Sequence, residues 1–126
     1  MPDGLIVMKY DERSGLEIMA KFPEEKANIS NQTLMHILNL HEFSTQPGIA
    51  SLTLENINFV TYYSGFELDY FFILMLNILE EPEDYEIILE IVSKIIMENR
   101  EENKYIEMLP SLYKKIIDYP KSKKNV

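Results

Sequence analysis

Tyr70-Phe71-Phe72-Ile73-Leu74-Met75-Leu76 is the stretch that decides the fold, and Leu5-Ile6-Val7-Met8 near the start of the chain is its counterpart. A strand with one face in water alternates apolar and polar residues, whereas a strand covered on both faces is continuously apolar. Both stretches are of the second kind. We therefore expect two adjacent central strands, with helices packed on both faces of the sheet.

Turn and capping residues divide the rest of the chain into short elements. Gly15 can adopt the positive φ that a tight turn needs, and Pro82 followed by acidic residues is typical of a helix start. Ser30 or Asn31 can cap an earlier helix. The predicted strands are Leu5–Tyr10, Leu16–Phe22, Ile49–Leu54, Ile57–Ser64 and Leu68–Ile78, and the predicted helices cover 31–43, 82–99 and a last segment from Tyr105 to Pro120.

Periodicity assigns individual side chains to the core. Residues about 100° apart share a helix face at intervals of three and four, and alternate residues share a strand face. The first predicted helix then has the inner stripe Leu34, Ile37, Leu38 and His41, and the second has Ile88, Ile91, Val92 and Ile95. The second predicted strand has Leu16, Ile18, Ala20 and Phe22 on one face.

One arrangement of the sheet satisfies the element order ββαβββαα together with these burial patterns. The two apolar strands are adjacent in the centre, and the strands of mixed polarity lie outside them. We predict an α+β fold with a five-stranded mixed sheet of order 2-1-5-4-3, covered by one helix on one face and two on the other. A single domain is expected over 1–120, followed by a disordered basic tail at 121–126.

Composition limits the classes of function. The 126 residues suffice for one domain, and the absence of cysteine excludes disulfides and thiolate chemistry. The first residues lack the pattern of a signal peptide, and the longest apolar run is about half the roughly 20 residues that a membrane-spanning helix needs. We therefore expect a cytoplasmic protein without a transmembrane segment.

The net charge of −9 is unevenly distributed along the chain. Residues 80–102 carry nine acidic and two basic side chains, a net charge of −7, whereas 103–126 carry two acidic and six basic side chains, a net charge of +4. An acidic body repels phosphate backbones, so nucleic acid is not an expected partner. The acidic cluster around Glu83 matches no calcium loop, so a solvated face is favoured over an interface for a basic partner and over a metal site.

No motif carries catalytic chemistry. The four glycines fall at element boundaries, so none is available for a phosphate-binding loop. His36 and His41 diverge by about 140° on a helix and cannot share a metal ion. His41 lies on the apolar stripe, where a hydrogen-bonded packing residue is expected rather than a catalytic base. We predict a non-enzyme, with no catalytic, cofactor-binding or metal-binding residues.

The predicted hairpin Gly4–Ile18, with its turn Asp11-Glu12-Arg13-Ser14-Gly15, resembles the start of longin-like domains. This family includes the N-terminal domains of some SNAREs, small and medium adaptor subunits, sedlin-type TRAPP subunits and, in permuted form, roadblock proteins. In element order the resemblance covers residues 4–118, and the chain is also similar to short stand-alone longin proteins of archaea. The resemblance implies a non-enzymatic platform in vesicle trafficking, one that binds small GTPases or other longin and roadblock chains.

The predicted interface combines the outer face of the first helix with an edge strand. Leu40 and Phe43 project away from the inner stripe, and the strand Ile49–Leu54 offers unpaired backbone groups at the sheet edge. We predict a homodimer, or a heterodimer with another longin or roadblock chain, in which strand pairs with strand and helix packs beside helix. The interface residues are His36, Leu40, Phe43, Ile49, Ser51 and Thr53. In the alternative arrangement, Phe43 folds inward and the edge stays unpaired.

Two functions stay open. The first is an interaction module that dimerises and binds a small GTPase or a trafficking or scaffold partner. The second is a small-molecule-sensing domain of the profilin-like type, which needs a cavity with convergent polar groups. The first is favoured, because the buried strands offer only aliphatic and aromatic side chains.

Overall fold

The computed structural model describes residues 2–41, 46–54, 56–65 and 68–124. Its five strands form one sheet of order β2-β1-β5-β4-β3, as the sequence predicts. The strands are β1 (Gly4–Asp11), β2 (Gly15–Phe22), β3 (Gly48–Leu54), β4 (Ile57–Tyr63) and β5 (Tyr70–Asn77). The α-helices are α1 (Asn31–His41), α2 (Glu86–Glu98) and α3 (Tyr105–Lys124), and short 3₁₀ turns cover Pro82–Tyr85 and Glu101–Asn103.

Every neighbouring pair of strands is antiparallel, so the sheet is not mixed as predicted. Short connections join β1 to β2, β3 to β4 and β4 to β5, and short connections produce antiparallel neighbours. The only long crossover, through α1, joins β2 to β3. These two strands lie at opposite edges of the sheet and do not pair, so the crossover creates no parallel neighbours.

The two central strands are buried on both faces, which confirms the prediction from their continuous apolar runs. Phe72 and Leu74 belong to one core cluster with side chains of α2 and α3. Phe71 and Ile73 belong to a second cluster with side chains of α1. We call these the α2–α3 layer and the α1 layer. One helix therefore covers one face of the sheet and two helices cover the other, as predicted.

A β-bulge divides the side chains of β2 between the two layers. Met8 pairs with Ile18 and Val7 pairs with Ala20, which leaves Met19 as an extra residue. An extra residue reverses the alternation beyond it. The prediction that Ile18 and Ala20 share a face is therefore wrong, because directly opposed residues point to the same side and their partners lie in different layers.

The helices begin and pack largely as the sequence predicts. The Ser30 hydroxyl caps α1 by accepting a hydrogen bond from the Thr33 amide at 3.1 Å. In α2 the predicted inner residue Ile91 is exposed, whereas Leu89 and Ile96 are fully buried. The buried stripe of α2 is thus rotated from the predicted one, because this helix packs against both the sheet and α3 and buries a wider face.

Helix α3 continues through two prolines, Pro110 and Pro120, and its backbone is helical as far as Lys124. The sequence places the end of the ordered domain at Pro120. A proline inside a helix removes one backbone donor without ending the helix in every case. The side chains of 121–124 and all of 125–126 lie outside the described residues, so the prediction of a dispensable basic tail stays a prediction.

Candidate interaction surface

Strand β3 forms an open edge of the sheet, because among the described strands it pairs with β4 alone. Its sequence, Gly48-Ile49-Ala50-Ser51-Leu52-Thr53-Leu54, contains no charged residue and no proline. Charged side chains, prolines and bulges are the usual means of blocking an edge strand against pairing with another chain. None of the three is present within β3, whose register with β4 is unbroken.

The predicted interface side chains of β3 lie on the face opposite to α1. Ile49 pairs with Tyr62 and Ser51 pairs with Val60, and both partners belong to the α2–α3 layer. Thr53 alternates with them and shares their face. The residues of β3 on the α1 face are instead Ala50, Leu52 and Leu54, of which the two leucines pack against the α1 layer.

The outer side of α1 carries the other predicted residues that the structure describes. His36 is exposed, and Leu40 is 43% exposed, large for an apolar side chain. Phe43 lies outside the described residues. Met35 lines a cavity with Tyr10 of β1, and Leu40 diverges from Met35 by about 140° around the helix. Leu40 therefore lies on a different flank of α1 from the cavity-lining Met35.

The structure thus does not place the predicted residues on one face of the sheet. Leu40, Leu52 and Leu54 lie on the α1 side of the sheet, whereas Ile49, Ser51 and Thr53 lie on the side of α2 and α3. Strand pairing through β3 would still use the backbone of all seven residues. The alternation of β3 separates its residues into two faces. The sequence does not show which of these faces packs against α1, because that depends on the layer of each β4 partner.

A second exposed apolar feature is the turn after β5. Leu79 is 86% exposed and its neighbour Ile78 is about half exposed. The sequence placed Ile78 inside a strand, but β5 ends at Asn77 and the chain turns there. An exposed apolar side chain is ordinary by itself, so the significance of this turn depends on how firmly it is held.

Several hydrogen bonds hold this turn in place. The side-chain amide of Asn58 donates to the backbone carbonyl oxygens of Ile78 at 3.3 Å and Glu80 at 3.0 Å. The Thr53 hydroxyl donates to the Asn58 side-chain oxygen at 2.5 Å, which fixes the orientation of that amide. From the other side, the Glu80 carboxylate accepts two hydrogen bonds. The backbone N–H of Asn77 donates at 3.1 Å, and the Tyr85 hydroxyl donates at 2.6 Å. Two apolar side chains are therefore presented on a rigid turn.

The Glu80 carboxylate also contributes to the electrostatics of this turn. Burial and the bond to Glu80 raise the pKa of Tyr85 well above its usual value. The tyrosine therefore stays protonated and keeps donating throughout the neutral range. Glu81 and Glu83, which follow along the chain, are exposed. The rigid turn is thus an apolar tip beside an acidic segment.

A cavity of about 300 Å³ lies between the end of α1 and the adjacent ends of β1, β4 and β5. Its described lining combines polar and apolar side chains: Tyr10, Met35, Leu38, Asn39, His41, Tyr63, Asp69 and Phe71. No convergent polar groups are predicted from the sequence, because the buried strands alone offer only aliphatic and aromatic side chains. The polar groups come from strand ends, from α1 and from the residue before β5, which no periodicity brings together.

His41 lies at this cavity and is buried, as the sequence predicts. Its Nε2 atom is 2.6 Å from the Thr61 hydroxyl oxygen, and its ring lies against Tyr63 and Phe71 with centroids 5.7 and 5.8 Å away. Burial lowers the pKa of His41 below its usual value of 6.5, so the imidazole is neutral at neutral pH. His41 is therefore a hydrogen-bonded packing residue, as predicted.

The described residues contain no group of three or more His, Asp or Glu side chains that could hold a metal ion. No helix within the described ranges is both long enough and apolar enough to cross a membrane.

Comparison with known proteins returned no match to a family model and no match to a curated protein.

Proposed function

We propose that this chain is a non-enzymatic interaction module of the longin-like kind. It associates through the β3 edge and the flank of α1 that carries Leu40, and it binds a small GTPase or a trafficking or scaffold partner in the cytoplasm. The observation that carries the proposal is the coincidence of an unblocked edge strand with an exposed apolar side chain, Leu40, on α1, the helix that precedes this strand in the chain.

The edge strand supports self-association for a physical reason. An unpaired row of backbone N–H and C=O groups can bind a second strand, and two copies of β3 related by a two-fold axis would do so in an antiparallel manner. The two α1 helices would then meet on one face of a ten-stranded sheet. Leu40 would be buried at that contact, and this would explain why it is exposed in the single chain. A heterodimer with a related chain would use the same surface.

The partner side of the proposal is supported by charge and by the resemblance of the fold to longin-like domains. The rigid turn at Leu79 adjoins a segment with a net charge of −7, so a protein partner with an apolar pocket and a basic rim would be complementary. The longin-like resemblance in the hairpin and in the element order makes small GTPases the first class to test.

The oligomeric state provides the first test. We expect light scattering at micromolar concentration to give a dimer for the wild type and a folded monomer for Leu40→Glu. The matched control is Ile106→Glu on α3, because Ile106 is 44% exposed and lies on the other face of the sheet. A monomeric wild type would contradict the proposal, as would a monomeric control.

A thermal-shift assay tests the partner. The melting temperature of this chain is measured with purified small GTPases that are loaded with either GDP or GTP. The rigid turn is the expected contact. A GTPase that raises the melting temperature of the wild type should therefore not raise that of Leu79→Ser, which lacks the apolar tip. Stabilisation by metabolites alone, with no response to any GTPase, would favour the second function instead. That function, small-molecule sensing, is supported by one observation, the polar-lined cavity beside His41.

A further inference from the structure

The cavity between α1 and the ends of β1, β4 and β5 is lined by one acidic residue among those described, Asp69. Asp69 directly precedes β5 and is half-buried. Among the residues that the structure describes, its side chain has one hydrogen-bond partner, the Tyr63 hydroxyl, which donates to Oδ1 at 2.6 Å. Among the described residues, no lysine, arginine or histidine nitrogen lies within ion-pair distance of it.

The backbone holds Asp69 in an unusual conformation. Its φ is +54°, in the left-handed region that non-glycine residues adopt uncommonly, though aspartate and asparagine more often than others. Both backbone groups are used: the amide donates to the Gly65 carbonyl at 2.9 Å, and the carbonyl accepts from the Tyr10 amide at 2.9 Å. The carboxylate is therefore fixed at the cavity by bonds on either side of it.

The remaining lining explains what kind of group would fit beside this carboxylate. The Tyr63 and Phe71 rings are stacked with centroids 4.7 Å apart, and Met35 and Leu38 add apolar surface. His41 is neutral and already bonded to Thr61, so it supplies no positive charge. A carboxylate that has no ion-pair partner among the described residues and lies beside aromatic and aliphatic side chains is complementary to a cation that carries hydrocarbon.

We propose that this cavity binds a small organic cation, an alkyl ammonium or alkyl guanidinium, with the Asp69 carboxylate as the counter-charge. The hydrocarbon part packs against Met35, Leu38 and Phe71. The volume of about 300 Å³ is at the lower end of ligand pockets, roughly 300–1,000 Å³, which restricts the ligand to a few carbon atoms beyond the charged group. The net charge of −9 favours cations over anions at the entrance.

This site is independent of the proposed dimer. Met35 and Asn39 line the cavity from one flank of α1, whereas Leu40 is on the other flank. A cation can therefore bind whether or not two chains associate, and the two proposals fail separately. Binding assays with Leu40→Glu test this directly, since that variant should keep the wild-type affinity for the cation.

Butylammonium is the probe, and 1-pentanol is its neutral counterpart of similar size and shape. We expect saturable binding of butylammonium in a titration followed by amide chemical shifts, with the largest changes at Tyr63, Asp69 and Phe71. Pentanol should bind at least tenfold more weakly, because it lacks the charge that Asp69 neutralises. Butylguanidinium should bind as well as butylammonium or better, since its planar group can form two bonds to a carboxylate.

Asp69→Asn is the decisive variant. Asparagine tolerates the same left-handed backbone and its side-chain oxygen can still accept from Tyr63, so the fold is retained. The affinity for butylammonium should fall at least tenfold. Asp84→Asn is the matched control, because Asp84 is also half-buried and lies in the acidic segment outside the cavity lining. Its affinity should be unchanged.

A second variant tests the cavity without removing the charge. Asn39 is exposed and lines the cavity, so Asn39→Trp should fill its entrance and abolish binding while the circular dichroism spectrum stays that of the wild type. The proposal is overturned if butylammonium does not saturate, if pentanol binds equally well, or if Asp84→Asn weakens binding as much as Asp69→Asn does. The last result would show a general attraction to an acidic protein.

Discussion

At the scale of single residues, His41 shows how one position serves packing and electrostatics together. It occupies a place on the inner stripe of α1 that an aliphatic residue could fill, yet its ring is paired with a buried hydroxyl, Thr61, at 2.6 Å. A buried polar group is stable only when its partners are present. The pair therefore connects α1 to β4 by a directional contact that aliphatic packing would not provide.

We predict that His41 makes the stability of the domain depend on pH. Its pKa is lowered in the folded state by burial, so between the folded and unfolded values the unfolded chain binds more protons. The free energy of unfolding then has its full value above about pH 6.5. It falls as the pH decreases below that value, by up to about 1.4 kcal/mol per pH unit for one proton. Urea unfolding at a series of pH values between about 5 and 7 measures this slope.

The two histidines give this measurement an internal control. His41→Gln should flatten the slope in that window, whereas His36→Gln, at an exposed position, should leave it as in the wild type. Tyr63, the closest titratable ring, has a pKa raised far above the window and does not contribute. A wild-type slope that survives the loss of His41 would contradict the prediction.

At the scale of elements, the sequence predicts strands and helices well where one force dominates. The burial of β1 and β5 on both faces follows from their apolar runs, and the start of α1 follows from a capping hydroxyl at Ser30. Errors arise where a single extra residue or a neighbouring element decides the outcome. The bulge at Met19 and the exposure of Ile91 depend on packing partners that are distant in the sequence.

The candidate site illustrates the same limit. The open β3 edge and the exposed Leu40 could be predicted, because both follow from local alternation and helical period. The cavity beside His41 could not, because its lining comes from β1, α1, β4 and the residue before β5. The predicted strand order makes β1 and β5 neighbours, but it does not give the register that brings Tyr10 to Asp69.

Asn58 should be the residue on which the turn after β5 depends. Asn58→Asp keeps the shape and the bond from Thr53 but replaces two donated hydrogen bonds, to Ile78 and Glu80, with repulsion between oxygen atoms. Leaving such groups unpaired costs about 1–3 kcal/mol of the free energy of unfolding. Asn39→Asp adds the same charge at an exposed position and should cost less than about 0.5 kcal/mol.

Urea unfolding at neutral pH distinguishes these two variants, provided that the m-value is unchanged. Thr53→Val should fall between them, because it removes only the contact that orients the Asn58 amide. If Asn58→Asp unfolds at the same urea concentration as the wild type, the turn is not held as described. Its apolar tip would then be no better ordered for a partner than any exposed loop.

At the scale of the whole molecule, the proposed dimer must form against electrostatic repulsion. Each chain carries a net charge of −9, and β3 contains no charged residue that could offset it. The attraction at the β3 edge comes from backbone hydrogen bonds and from apolar contact at Leu40, neither of which salt weakens. Repulsion between the two acidic bodies is long-range, and salt does screen it.

We therefore predict that salt strengthens the dimer. Raising the NaCl concentration from about 0.05 M to about 0.5 M shortens the screening length severalfold and should lower the dissociation constant measured by sedimentation. The melting temperature should rise with protein concentration, since only the folded chain dimerises. Both dependences should vanish in Leu40→Glu and persist in Ile106→Glu. A dimer that dissociates as salt increases would instead depend on ion pairs, which the uncharged β3 edge cannot supply, and the interface would have to lie elsewhere on the molecule.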